Sequence, residues 1–298
     1  MDLDEQVAHV EGLLDRHTPA EAYGLFTQEL EKEELLDQHT LAHVFGEVLY
    51  EKVGIGGFTV CDGSFGFGCA HSFVGKAITE NGAEVVRVID EQCIRHFGDY
   101  ETGCFHGIGH GLLAYYGYGT NEVAQSLGLC AELSWKHPIS GCSDGVFMEY
   151  NFRLMEADPN KRHRPFAAED RYQPCAAINL YKEGCYFALP AWWATDSAAR
   201  PEDVLGKYCS EVKHGALQTA CFRGIGYALF PLVSFDASAG IAACDRVGNG
   251  GALRCREGLA WAFFADPASR DQAERICDDG LTEKEAAVCT SEYLFAIP

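Results

Sequence analysis

No apolar run in the 298-residue chain approaches the roughly 20 residues that a membrane-spanning helix requires; "YALFPLVSF" from Tyr227 is among the longest. No insertion into a membrane is expected. Positive charge is also scarce, with 23 Lys and Arg against 44 Asp and Glu, a formal net charge of −21, and no basic stripe to offset it. Such a chain repels phosphate backbones and anionic bilayer surfaces, so nucleic acid is excluded as a partner. The one basic run, Lys161, Arg162, His163 and Arg164, is short and reads as a solvated loop. There is no Asn-x-Ser/Thr sequon, no H-E-x-x-H and no P-loop. No two cysteines stand in a Cys-x-x-Cys arrangement, which removes zinc knuckles, thioredoxin-type redox motifs and attached haem, and leaves bis-histidine haem a weak reading.

Cysteine itself is abundant, with 14 in all. Outside the metal and redox motifs that number points to disulfides, and therefore to an oxidising compartment: the periplasm, the cell surface or the exterior. The N-terminus "MDLDEQVAHVEGLL" lacks the basic and apolar regions of a signal peptide, so an exporting segment is expected to have been removed.

Taken in order, the cysteines form seven couples: Cys61 and Cys69, Cys93 and Cys104, Cys130 and Cys142, Cys175 and Cys185, Cys209 and Cys221, Cys244 and Cys255, Cys277 and Cys289. Pairing within each couple is the expectation, although order alone does not fix connectivity. The second member of each couple opens a similar segment, among them "GCAHSFVGKAI", "GCFHGIGHGLLAY", "GCSDGVFMEY" and "ACFRGIGYALF". These second cysteines are separated by 35, 38, 43, 36, 34 and 34 residues, the period of a two-helix repeat. "DQHTLAHVFGEVLY" aligns with the same segments and places Asp37 at the cysteine position, 32 residues before Cys69.

The expected fold is therefore all-α, a single domain over 1–298. It holds about eight disulfide-stapled αα-hairpins with second helices starting near 37, 69, 104, 142, 185, 221, 255 and 289. They would form a closed α/α toroid or an open superhelical solenoid. Thr282 with Glu285 reads as a capping box, and Pro201 and Pro267 as first-turn prolines. In general plan the chain resembles disulfide-stapled Sel1-like repeat proteins, whose cysteine spacing is shorter and more regular. The strings "HGIGHGL" and "DGVFMEY" are similar to those of uncharacterised secreted cysteine-rich helical-repeat proteins, and that resemblance implies architecture without chemistry.

A repeat serves as its own control, because a residue needed only for packing recurs in most units. Glycine does recur three places after the cysteine, at Gly107, Gly145, Gly224 and Gly258, and "CFRGIGYALF" repeats Gly-Ile-Gly. Each helical glycine costs about 1 kcal/mol against alanine, so close backbone packing is the expected compensation. Histidine does not recur. Two places after the cysteine position stand His39, His71 and His106, then Asp144, Phe187, Arg223, Glu257 and Ser291; six places after it, His43 and His110 are added.

Residues four apart share one face of a helix, so His39/His43 and His106/His110 can each grip one ion, with His71 at the matching place between them. Glu149 and Asp144 are candidate catalytic carboxylates. Imidazole and carboxylate without thiolate suit copper, iron or zinc, and five histidines exceed the needs of one tetrahedral ion. The expectation is an extracytoplasmic metalloenzyme with a mono- or dinuclear site among repeats 1–4. Zinc would favour hydrolysis with Asp144 or Glu149 as general base, and copper or iron would favour oxidation. The substrate class stays open between a small molecule and a peptide. The alternative is a non-catalytic repeat protein that binds metal, peptide, glycan or a partner protein on its concave face, where Trp192, Trp193 and Trp261 are candidates, although packing accounts for them more simply. His9, His17, His96, His137, His163 and His214 share no register and read as surface or structural. "EADPNKRHRPFAAEDRYQP" reads as an extended loop near the site, with ordinary loop variation favoured over a lid.

Overall fold

The computed structural model describes residues 3–33, 35–98, 102–156, 161, 164–196, 198, 201–265 and 269–295. Among these the regular structure is fifteen α-helices with short 3-10 turns and no strand. All seven cysteine couples are disulfides, with Cα atoms 5.4–5.8 Å apart and sequence separations of 8–12. Packing groups the chain into two compact units, Met1–Arg164 and Pro165–Pro298.

In the first unit, α1 (Leu3–Arg16) and α2 (Pro19–Leu30) lean on α3 (Leu35–Val53). Then α3, α4 (Gly68–Asn81), α6 (Thr102–Tyr116) and α8 (Cys142–Phe152) pack in series, each against the next. These four are the segments opened by the second cysteines and by Asp37. α5 (Val86–Phe97) and α7 (Thr120–Cys130) sit outside them.

Burial explains the two helix types. In α6 every residue from Gly103 to Leu113 is buried, as for a helix with neighbours on all sides. In α5 only Val86, Ile89, Asp90 and Cys93 are buried, the one-face spacing of a helix lying on a surface. Phe45, Leu49, Phe73, Ile78, Phe105, Ile108, Leu112 and Phe147 form the core, each contributing about 1.5–3 kcal/mol of apolar burial.

The second unit repeats the plan. α9 (Lys182–Trp193), α11 (Gly215–Leu232), α13 (Ala252–Ala265) and α15 (Glu283–Phe295) pack in series. Outside them lie α10 (Glu202–Ser210), α12 (Ala237–Arg246) and α14 (Gln272–Asp278). Trp192 and Trp193 are fully buried, and the Trp193 indole donates to the Arg171 carbonyl at 2.9 Å, so both are core.

Two hairpins lack the expected outer helix among the described residues. Between α3 and α4 the chain makes 3-10 turns at Gly54–Gly57 and Ser64–Phe67. "GIGGFTVCDGSFGFG" carries six glycines, each penalising helix by about 1 kcal/mol. Between α8 and α9 stand Pro165 and Pro174, which disfavour helix, and a 3-10 turn at Ala168–Asp170. The Thr282 box is formed, with the Thr282 N–H and hydroxyl donating to Glu285 and the Glu285 N–H to Thr282 Oγ1. Thr18 and Glu21 make a second box on α2. Pro201 is the N-cap of α10 rather than a first-turn residue. Pro267, Arg162, His163 and part of the loop after Glu156 lie outside the described residues.

The glycines answer to close approach. A Cβ on Gly109 would run into the Cys142 carbonyl, and one on Gly145 into the His106 carbonyl, so α6 and α8 touch backbone to backbone. A Cβ on Gly107 would lie 3.0 Å from the Cα and carbonyl oxygen of His71. This contact sets how near α4 comes to α6.

Candidate metal centre

All five register histidines lie in the first unit, and close helix packing gathers them. α3 carries His39 and His43, α4 carries His71, and α6 carries His106 and His110. The His71 ring centroid lies 4.7 Å from His106, 5.6 Å from His39, 5.8 Å from His43 and 6.4 Å from His110. His39, His43 and His71 each offer one nitrogen within 4.8 Å of the others, so they can hold a metal ion. His71, His106 and His110 are buried, whereas His39 and His43 keep partial exposure.

Both same-helix pairs turn Nε2 toward Nε2, at 3.0 Å for His39/His43 and 2.9 Å for His106/His110. Two nitrogens bound at about 2.0–2.1 Å to one ion stand about 2.9–3.4 Å apart, for angles between right and tetrahedral. The opposite edge of three of these rings is committed. His39 Nδ1 donates to the Phe65 carbonyl at 2.7 Å, His106 Nδ1 meets Asp144 Oδ2 at 3.0 Å, and His110 Nδ1 meets Glu149 Oε2 at 2.8 Å. An acceptor behind Nδ1 fixes the hydrogen there and leaves the Nε2 lone pair facing the cluster.

The supports are themselves held. Glu149 is fully buried, accepts from the Tyr118 hydroxyl at 2.7 Å and takes the Met155 backbone N–H on both oxygens. Phe65, Gly66 and Phe67 all have left-handed backbone, with φ of 53°, 61° and 63°. That turn directs the Phe65 carbonyl at His39, and non-glycine residues hold such conformations at a cost of about 1–3 kcal/mol. Asp144 and Glu149 thus both stand behind imidazoles rather than among the Nε2 atoms. Burial lowers the imidazole pKa of His39, His43, His71 and His110, and repulsion from neighbouring imidazoles adds to it. His71 Nε2 is buried without a hydrogen-bond partner.

Three of the other histidines have bonds elsewhere in the fold. His9 meets Glu29, His96 reaches the Cys61 carbonyl, His137 accepts from the backbone of Ile139 and Ser140, and His214 is the N-cap residue of α11. In the second unit the equivalent register holds an ion pair, Arg223 Nε to the buried Glu257 at 2.7 Å, beside the Phe187, Tyr227 and Trp261 cluster. Gly141-Cys142-Ser143-Asp144-Gly145 has Gly-x-Ser-x-Gly spacing, but no strand leads into α8, and an esterase elbow needs strand then helix.

Three contributors escaped sequence reasoning: the Phe65 carbonyl, Tyr118 and Met155. The Phe65 carbonyl and the Met155 N–H are backbone groups with no side-chain signature, and Tyr118 meets Glu149 across 31 residues of sequence. Comparison of the chain with protein-family models, with curated proteins and with solved structures yields no match.

Proposed function

We propose that the chain is a metalloprotein of an extracytoplasmic, oxidising compartment, secreted, periplasmic or on the cell surface, whose five histidines hold transition metal and whose chemistry is oxidative. One observation carries the reading. His106 and His110 each face a carboxylate with Nδ1, so two Nε2 lone pairs confront each other at 2.9 Å in a buried site. Without a cation between them the arrangement is repulsive, and a metal ion relieves it while the carboxylates offset its charge. His39 and His43 repeat the pair at 3.0 Å, and His71 stands between the two pairs, an arrangement suited to two ions.

His39 and His43 are less deeply buried as residues than His71, His106 and His110, so an exogenous molecule would approach a bound metal from their side of the cluster. Glu149 has both oxygens committed to donors and serves as a positioning residue, which weighs against the hydrolytic reading in which it acts as general base. A non-catalytic metal carrier is the second reading, favoured by the depth of His71 and His110.

Elemental analysis of protein purified without chelator, and after reconstitution with zinc, copper and iron, tests the proposal. About two equivalents per chain are expected. The His106→Ala/His110→Ala variant should lose one and His39→Ala/His43→Ala the other. Wild-type protein that takes up none of the three metals sinks the reading.

A further inference from the structure

The chain has three methionines, and two of them, Met148 and Met155, lie on or just after α8, the helix that carries Asp144 and Glu149. Met148 stands six places after Cys142, the register of His43 and His110, and four after Asp144, as His43 follows His39. At the same register on α4 the repeat has Gly75, which has no side chain to offer. The space is taken from elsewhere: a Cβ on Gly75 would sit 2.8 Å from Met155 Cε and 3.0 Å from Met155 Sδ. The thioether therefore occupies the place one turn after His71 where α3 and α6 carry their second imidazole. The Met155 N–H bonds to Glu149 hold that segment against the same carboxylate that orients His110. His71, the imidazole lacking a same-helix partner, is also the one whose Nε2 is buried without a hydrogen bond.

We infer that the resident metal is copper, and that Met155 and Met148 supply thioether sulfur to its cuprous form. The inference rests on the metal reading above and narrows it. All fourteen cysteines are in disulfides, so the soft donors left to this protein are its thioethers, and Met1 lies outside the described residues. Thioether with imidazole selects Cu(I), whereas zinc and ferrous iron gain little from thioether sulfur. Met155 as mere filler of the gap over Gly75 is the competing explanation, and leucine distinguishes them because it keeps the volume and removes the sulfur.

The experiment combines X-ray absorption of the Cu(I)-loaded wild-type chain with anaerobic competition against a chromophoric Cu(I) chelator for wild type and Met148→Leu/Met155→Leu. A sulfur shell is expected around copper in wild type and absent from the variant. Cu(I) affinity should fall at least about tenfold while Zn(II) affinity changes by less than about twofold. A copper environment of nitrogen alone in wild type overturns the thioether assignment, and this measurement stands even where the variant fails to fold. Tight zinc binding with negligible copper uptake overturns the copper assignment but leaves the histidine site intact. Failure to bind any metal removes the underlying reading as well.

Discussion

At the scale of single residues, Glu149 separates orientation from coordination. It touches His110 from behind, and all its donors are buried or half-buried. In Glu149→Gln the amide NH2 replaces one acceptor oxygen, so either the Tyr118 hydroxyl or the His110 Nδ1–H loses its acceptor while the Met155 N–H keeps one, and His110 loses the charge that stabilises its metal-bound form. Metal affinity is expected to fall about 10–100-fold with the fold retained, as read by competition titration and circular dichroism. An unchanged affinity would mean that the carboxylate does not act through His110. Gly145 sets another relation, since its missing Cβ admits the His106 carbonyl and brings Asp144 to His106. Gly145→Ala should cost about 1–3 kcal/mol in urea denaturation and weaken metal binding with it. Gly128 in α7 has open space, with nothing within 4 Å, where an alanine methyl would stand. Gly128→Ala should therefore stabilise by about 0.4–1 kcal/mol and leave the metal untouched.

Among elements, each disulfide joins a helix start to the segment just before it, and the bridges from Cys175 onward belong to the second unit, which holds none of the five imidazoles. Replacing Cys244 and Cys255 by serine opens a loop with a sequence separation of 11 and should cost about 3 kcal/mol while metal content stays constant. Loss of metal in that variant would show that the second unit supports the site. The inner helices were legible because seven of the eight carry the second cysteine of a couple within their first two turns, although α11 and α15 start six residues before Cys221 and Cys289, and the histidine register followed once "DQHTLAHVFGEVLY" was aligned with them. Outer helices were less legible: the glycine-rich stretch 54–68 and the proline-bearing segment before α9 keep the period but form no outer helix among the described residues. The site was legible in its imidazoles and illegible in their support. Asp144 and Glu149 stood out as carboxylates, but which edge of an imidazole they meet depends on how closely α6 and α8 pack. The Phe65 carbonyl is backbone, and only the three left-handed residues aim it.

For the molecule as a whole, the cluster ties stability to pH. His39, His43, His71 and His110 have folded values below the ordinary imidazole value, chiefly through burial. The unfolded chain therefore takes up protons first as pH drops below about 6.5. The metal-free protein should keep full stability above that pH and lose it progressively on acidification, levelling once the folded imidazoles also protonate. Chemical denaturation of chelator-treated protein from about pH 8 to about pH 5 checks this, and a flat profile would contradict the burial of neutral imidazoles. Metal held at about 100 times its dissociation constant should add about 2.7 kcal/mol above that pH. A net charge of −21 attracts cations to the whole surface, so uptake should slow as ionic strength rises.

Every bridge also joins cysteines that are consecutive in the chain, never one couple to another. During synthesis and the proposed export the two thiols of a couple emerge within a dozen residues of each other, and the correct partner is the nearest reduced neighbour. A chain threaded outward from its N-terminus can thus oxidise one hairpin at a time, in order, with little need for an isomerase to unscramble it. The first three bridges can close before the second unit has left the channel, and the five imidazoles, all N-terminal to Cys130, are then presented to metal outside the cytoplasm while synthesis is still under way.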